Sequence, residues 1–557
     1  MASTGRPEHA RDRDAGGRDL SVATTAPQVL VSRNPATGQP LGSVKIASTE
    51  DVAAVCRRAA EVQGTWAKWP AGERAAVVNR AADFILYNAP DYADLVRREN
   101  GKPRSDAVLM EVGPTIDGFR WVARRAPRIL ADEWLRPNLL TFVHGMWHRI
   151  RREPLGVIGI ISPSNYPLSI PAGVVASALA AGNGVVLKPS PLAPLTAERL
   201  AEAFTAAGLP DGLFGLVHGS GEQGHAVCTS PHVSKVVFTG SVEVGRLVAQ
   251  ACADQAKPYT LELGGKDPAI VRTDADLDRS VPQILWTACA NSGQSCARVA
   301  RVYVHRSIHD EFVARLVEQA SALVVGDPAD PDVDMGPLLD PAHWERVCAL
   351  VDDAVAKGAT LLVGGPHKAN GPGCYYRPTV LTGVSQSMRL LQEETFGPVI
   401  PVMAFDDDDE AVRLANDSRY GLGASIWTRD RPAARAMAAR IQAGMVWINE
   451  HLYSHAAPMT PWLGVKDSGI GVVHSKYGLQ AMTRPKLLST NFGPLPPALF
   501  PHNAALEAAT FTMLNVFTAR GIGRRLGTAW RNRSDVVEYV RHRARVVRRQ
   551  ADRYGSS

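Results

Sequence analysis

From Val157 onward the chain alternates short apolar, β-branched runs with longer stretches whose apolar residues recur at helical spacing. Val157-Ile158-Gly159-Ile160-Ile161 leads into an alanine-rich stretch ending at Ala181, then Val185-Val186-Leu187, then a helical pattern from Thr196 to Ala207. The rhythm continues through Leu213 to Val217, through Lys235-Val236-Val237-Phe238, and into a helix expected over Glu243 to Ala253. Strands separated by helices in this way predict a parallel sheet wound with helices on both faces. Such sheets bind ligands beyond the carboxyl ends of their strands. A second alternating block from Ala269 to about Asn449, with strands at Arg301 to Val304 and at Val399 to Phe405, predicts a second α/β domain.

Length and composition agree with more than one domain: 557 residues exceed what one core organises, and 45% are hydrophobic. The seven cysteines (Cys56, Cys228, Cys252, Cys289, Cys296, Cys348, Cys374) form no CxxC or Cys/His cluster, which argues against a disulfide framework or a zinc site and for a reducing cytosol. Residues 1–26 are polar and mix Arg with Asp and Glu, without the apolar core of a signal peptide; a disordered leader is expected. The net charge of +6 is unevenly placed. Eleven arginines against Asp535, Glu538 and Asp552 give +8 between Arg520 and Ser557, leaving the preceding chain near neutral. Within that tail, after the proline-rich Gly493 to Pro501, Arg531 to Arg553 predicts a basic, weakly amphipathic helix. No run of about 18 apolar residues is long enough to span a bilayer. The tail has no interleaved aromatics to suggest nucleic acid.

Four stretches carry candidate chemistry. Gly293-Gln294-Ser295-Cys296 offers a cysteine on a loop of small residues, although a lone cysteine is more often a small buried hydrophobe. Glu262-Leu263-Gly264-Gly265-Lys266 ends a strand with paired glycines that permit close approach to the backbone. Ser162-Pro163-Ser164-Asn165-Tyr166-Pro167 fixes a turn after a strand and leaves Asn165 as a side-chain donor. Phe238-Thr239-Gly240-Ser241 runs from strand to helix in the manner that offers free N–H groups to a phosphate, or serves as a plain N-cap.

Together these stretches resemble the aldehyde dehydrogenase superfamily. The resemblance extends through Lys188-Pro189-Ser190, Glu393-Glu394-Thr395-Phe396-Gly397-Pro398, Trp447-Ile448-Asn449 and Lys466-Asp467-Ser468-Gly469-Ile470-Gly471, and covers residues 27 to 490 in the family's order. It implies an α/β fold with a Rossmann-type cofactor domain (27–132 and 152–262), a catalytic domain (263–485), a small β oligomerisation arm (133–151 and 486–492), and a basic tail (493–557) outside the pattern. It also implies a homodimer or homotetramer.

The resemblance assigns roles residue by residue. Cys296 is the nucleophile, Asn165 holds the oxyanion, such a donor being worth roughly 3 kcal/mol, and Glu262 is the general base that hydrolyses the thioester. Glu262 also disfavours transfer of the acyl group to coenzyme A, since relatives using that acceptor typically lack a glutamate there. NAD or NADP is expected against Lys188, Gly240, Ser241, Gly245, Leu263, Glu394 and Phe396. Two departures stand out: Pro191 replaces a glutamate that grips the ribose diol in NAD-preferring relatives, so NADP is also admitted, and Ser164 replaces the usual tryptophan before Asn165.

The stretch Asn449 to His455 followed by Pro458 to Trp462 looks like a subgroup that includes succinate-semialdehyde dehydrogenases and dehydrogenases of long apolar aldehydes. An acidic semialdehyde would need a cation such as Arg298, Arg301 or Arg120. His451 and His455 lie four apart, but without further ligands they are assigned to a loop surface or pocket lining, and no metal is expected. An apolar aldehyde partitions into membranes, where the basic tail is a candidate for peripheral contact; the other reading of the tail is a solvated or oligomer-packing helix. The competing reading is a catalytically silent scaffold whose tail is the working part; its signature would be a lost catalytic residue, and none is lost.

Overall fold

The computed structural model describes residues 28–138, 141, 145–367, 372–492 and 504–554. The expected leader and the proline-rich stretch 493–501 lie outside the described residues. The architecture is α/β, with a six-stranded sheet, a seven-stranded sheet and a three-stranded arm.

The six-stranded sheet runs in the order Gly469–Ile470, Tyr259–Glu262, Lys235–Thr239, Val157–Ile161, Gly184–Lys188, Phe214–Leu216. All neighbours are parallel except the first pair. Val157–Ile161 and Gly184–Lys188 are buried at every position, which is why they read as unbroken apolar runs. Their alternate residues feed two cores. Ile158, Ile160, Val185 and Leu187 join the cluster that contains helices Ala71–Tyr87 and Ser169–Ala180. Val157, Ile161 and Val186 join the one against Thr49–Trp66 and Val242–Ala253. The two-residue period of a strand divides one sequence run between both faces, each buried Val or Ile contributing about 1.5–3 kcal/mol.

The seven-stranded sheet has the order Thr360–His367, Tyr375–Thr382, Val399–Phe405, Val299–His305, Asp267–Val271, Gly423–Trp427, Met445–Ile448, parallel apart from its first hairpin. In the arm, Thr483–Asn491 pairs antiparallel with Met146–Pro154 along its whole length, and Glu133–Leu135 adds the third strand. The two long arm strands extend three residues further into the body than the segments read from sequence.

One segment departs from the sequence division. The sequence division places the stretch up to residue 485 in the second unit, yet Gly469–Ile470 extends the first sheet, and Leu452, Trp462, Val473, Leu479 and Met482 join the cluster that contains helices Ala71–Tyr87 and Ser169–Ala180, together with Ala290, Ala297, Leu422, Met445 and Trp447. A two-residue strand has no periodicity to read. Asn183, fully buried, ties this return segment down: its Oδ1 accepts from the N–H groups of Leu155 (2.7 Å) and Gly156 (3.0 Å), and its Nδ2 donates to the carbonyls of Ala178 (3.1 Å) and Met482 (2.9 Å).

The tail contains three helices, Ala504–Thr518, Ile522–Arg531 and Arg533–Tyr554, rather than the single one expected. Ala504–Thr518 is too uniformly apolar to show a helical period. Its Thr512 hydroxyl donates to Asp535 at 3.1 Å across the pair.

Asn183→Ala would leave the Leu155 and Gly156 N–H groups and the Met482 carbonyl without this partner, each costing about 1–3 kcal/mol, while the Ala178 carbonyl keeps the backbone N–H of residue 183. The expected result is a loss of at least about 3 kcal/mol in a denaturant titration, and a loss below 1 kcal/mol would show that the return segment is held elsewhere.

Candidate active site

The loop that carries Cys296 is built by three consecutive residues in the left-handed region: Asn291 (φ 53°), Ser292 (φ 56°) and Gly293 (φ 70°). Two of these are not glycine, a conformation that persists only when its surroundings hold it. The Asn291 N–H donates to Asp106 Oδ2 (2.9 Å), the Ser292 hydroxyl donates to the Gly336 carbonyl (2.8 Å), and Gln294 Nε2 donates to the Asn291 carbonyl (3.1 Å). Gln294 Oε1 in turn accepts from the Leu339 N–H at 3.0 Å.

Asn165 follows the carboxyl end of Val157–Ile161 and meets that loop directly. Its Nδ2 donates to the Gln294 carbonyl at 3.0 Å, and its own carbonyl accepts from Asn291 Nδ2 (3.0 Å) and Lys102 Nζ (2.9 Å). Lys102 forms a wholly buried ion pair with Glu111 at 2.8 Å. The second Glu111 oxygen accepts from the N–H groups of Leu168 (3.1 Å) and Ser169 (2.7 Å), the start of helix Ser169–Ala180. Lys102, Glu111 and Asn291 were not picked out from sequence, where an isolated Lys or Glu reads as a solvated charge; only the tertiary fold buries them.

Nine residues singled out by sequence line one cleft of about 920 Å³ at the carboxyl ends of the first sheet: Asn165, Lys188, Gly240, Ser241, Glu262, Leu263, Cys296, Glu394 and Phe396. Gly245 does not line it. A Cβ at Gly245 would fall 2.5 Å from Leu263 Cδ2, so this glycine lets helix Val242–Ala253 pack against the residue that does. Ser241 caps that helix, its Oγ accepting from the Val244 N–H at 3.3 Å, and the helix N-terminus opens on the cleft. Ser190 and Pro191 line the wall beside Lys188, whose pKa burial lowers to about 8.

Glu394 packs over Gly264, accepts from the Gly265 N–H at 3.2 Å, and is pushed up to about 7 by burial. Phe396 is held at φ 53°, its carbonyl bonded to His343 Nε2 at 2.8 Å. Glu262 is buried with neither carboxylate oxygen hydrogen-bonded, and desolvation raises its pKa well above the ordinary range. Burial, then the carboxylates of Glu394, Asp267 and Glu262, push the Cys296 thiol up as well. The cleft fits a dinucleotide: glycines at close approaches, a helix N-terminus for a pyrophosphate, and a free carboxylate at the end where Cys296 sits.

Behind this cleft lies a smaller inner pocket. Thr239, Glu262 and Cys296 border both cavities, placing the thiol and the unbonded carboxylate at their junction. The inner pocket's other walls are apolar or aromatic, including Tyr166, Leu452, Trp462 and Val473. His455 and His474 also line it, lowered by burial to about 3 and about 4 and therefore neutral. His451 lies elsewhere: its Nε2 bonds the Ala297 carbonyl at 2.9 Å and its ring packs on Trp447.

None of the three candidate cations reaches these cavities. Arg301 donates to the carbonyls of Lys266, Leu414 and Ala415, Arg298 to those of Val299 and Val399, and Arg120 to Asn79 and Asp83.

A model of the aldehyde dehydrogenase family matches residues 22–488. The chain belongs to the aldehyde dehydrogenase family. It is similar to a betaine aldehyde dehydrogenase of Cereibacter sphaeroides, 37% identical over 490 residues that cover 88% of this chain and 99% of the relative. Among solved structures, an NADP-dependent enzyme of Escherichia coli superposes with a TM-score of 0.80 at 33% identity, over 84% of this chain and 95% of that one. An aldehyde dehydrogenase of Mycobacterium tuberculosis complexed with NAD+ gives 0.80 at 34% identity, over 86% and 96%. The chain is an NAD(P)-dependent aldehyde dehydrogenase.

Removing one partner of a buried ion pair typically costs about 3–5 kcal/mol. Glu111→Gln is expected to lower the stability of the enzyme by about that amount and to reduce kcat more than it raises KM. Wild-type kcat in a stably folded variant would separate the ion pair from the placement of Asn165.

Proposed function

We propose that the enzyme oxidises an uncharged, apolar or aromatic aldehyde to its carboxylic acid through a thioester on Cys296. The observation that carries this is the position of Cys296 and Glu262 at the junction of the cofactor cleft and the inner pocket. The Cys296 thiol gives its proton to water in the cleft and its sulfur adds to the aldehyde carbon; the carbonyl π electrons move onto oxygen, where Asn165 Nδ2 and the backbone N–H of Cys296 are the donors. Oxidised NAD(P) held in the cleft would supply the hydride acceptor, a nicotinamide ring that carries one positive charge. Glu262 then takes a proton from water as the water oxygen attacks the thioester; the C–S bond breaks and the acid departs. Both Glu262 oxygens are free to take that proton. Water is thus the acyl acceptor, not coenzyme A, and Lys188, Ser241, Glu394 and Phe396 hold the dinucleotide. Pro191 offers no carboxylate against a 2′-phosphate, which supports use of NADP as well as NAD.

Succinic semialdehyde fits this site poorly. Its carboxylate would be desolvated among neutral side chains without a cation, at a cost of several kcal/mol. The arm exposes Trp134 (62%) and Leu487 (61%), which supports assembly through this sheet into a homodimer or homotetramer; sedimentation of the enzyme as a monomer would refute that.

Formation of reduced nicotinamide is expected from hexanal or benzaldehyde with either NAD or NADP. Their kcat/KM should exceed that for succinic semialdehyde by at least about tenfold, a difference of 1.4 kcal/mol, and Cys296→Ala should abolish turnover. A preference for the semialdehyde would overturn the reading, as would a preference for betaine aldehyde, which would make Tyr166 and Trp462 a cation subsite.

Because the Glu262 carboxyl is raised, its basic form grows as pH climbs through that elevated value. Thioester hydrolysis should therefore accelerate with pH across the neutral range. Glu262→Gln should remove that dependence and leave a single-turnover burst of reduced nicotinamide; a variant that keeps the wild-type pH profile would exclude Glu262 as the base.

A further inference from the structure

The tail lies beyond the family match, which ends at residue 488, and the cleft does not use it. Its middle helix, Ile522–Arg531, presents Ile522, Leu526 and Trp530 at successive i, i+4 positions, which places them on one face. They are 76%, 66% and 69% exposed, so most of this apolar face is open to solvent. Arg524, Arg525 and Arg531 occupy other sides of the same helix and are exposed. Arg533, just beyond it, stacks its guanidinium over the Trp530 ring at 4.5 Å. The helix is too short and too charged to cross a bilayer, and no described helix is long and apolar enough to do so.

An exposed apolar face flanked by arginines, inside a segment with eleven arginines and three carboxylates, matches a surface that is itself apolar beneath and anionic above. A nucleic acid supplies the charge without the apolar phase. A second copy of this tail would meet Ile522, Leu526 and Trp530 while opposing arginine to arginine.

We propose that helix Ile522–Arg531 lies in the interface of an anionic lipid bilayer, with Ile522, Leu526 and Trp530 inserted and the surrounding arginines on the lipid phosphates. The tail then acts as a peripheral anchor, and the neighbouring helices add exposed apolar residues, Phe511 and Leu514 before it and Val537 and Val540 after it. This proposal does not depend on which aldehyde the site oxidises.

The test is co-sedimentation of the full chain with vesicles of phosphatidylcholine alone or of equal parts phosphatidylcholine and phosphatidylglycerol. Binding to the anionic vesicles should be at least about tenfold stronger and should weaken as salt rises. The double substitution Leu526→Asp with Trp530→Asp should lower it at least about tenfold while turnover of a soluble aldehyde stays at the wild-type level. Arg524→Gln with Arg525→Gln, which leaves the apolar face intact, should weaken binding to anionic vesicles alone. Equal binding to both vesicle types would overturn the proposal, as would a double variant that binds like the wild type. Loss of an oligomer in the double variant, without lipid binding by the wild type, would reassign the face to contact between copies of this chain.

Discussion

The buried pair of Lys102 and Glu111 holds the active site together because its bonds reach in two directions. Glu111 gathers the N–H groups at the start of helix Ser169–Ala180, and Lys102 reaches the carbonyl of Asn165. The same carbonyl receives Asn291, and the Asn165 side chain donates to Gln294, so the strand-end turn of the first unit is bonded to the Cys296 loop of the second. That loop passes through three left-handed residues before Cys296 and would relax without these partners. A buried ion pair adds little net stability. Here its bonds fix where a donor and a thiol stand relative to each other.

The electrostatics of the cleft follow from the same burial. Glu262 and Glu394 line the cleft with Cys296 and Asp267 is buried behind it, and each carboxyl is driven toward its protonated form by desolvation. The thiol is pushed up the same way, so burial opposes negative charge on each of these groups. Neither Glu262 oxygen is tied up in a hydrogen bond, which leaves both free for the base role proposed for it.

The tail is separate from this machinery yet shares a physical theme with the inner pocket. The pocket is walled by aromatic and aliphatic side chains with neutral histidines, and the tail shows an apolar helix face to solvent. An aldehyde suited to the first partitions toward the lipid phase that the second would meet.

The sequence alone determined the fold class, the strand-end positions of the site and the identity of its chemistry. Strands buried on both faces must be written as continuous apolar runs, and motifs such as Gly-Gln-Ser-Cys and Glu-Leu-Gly-Gly-Lys occupy consecutive residues. It also marked Pro191 and the basic tail as departures. What only the tertiary structure decided comes from residues far apart in the chain. Lys102, Glu111 and Asn291 act through partners as many as 185 positions away. The return of Gly469–Ile470 to the first sheet leaves no period in two residues. Arg298, Arg301 and Arg120 were candidates for binding a carboxylate until their donors were found on backbone carbonyls and on Asn79 and Asp83. A charge written in sequence declares its sign, and only folding assigns its partner, because burial and hydrogen bonding depend on which surfaces close over it.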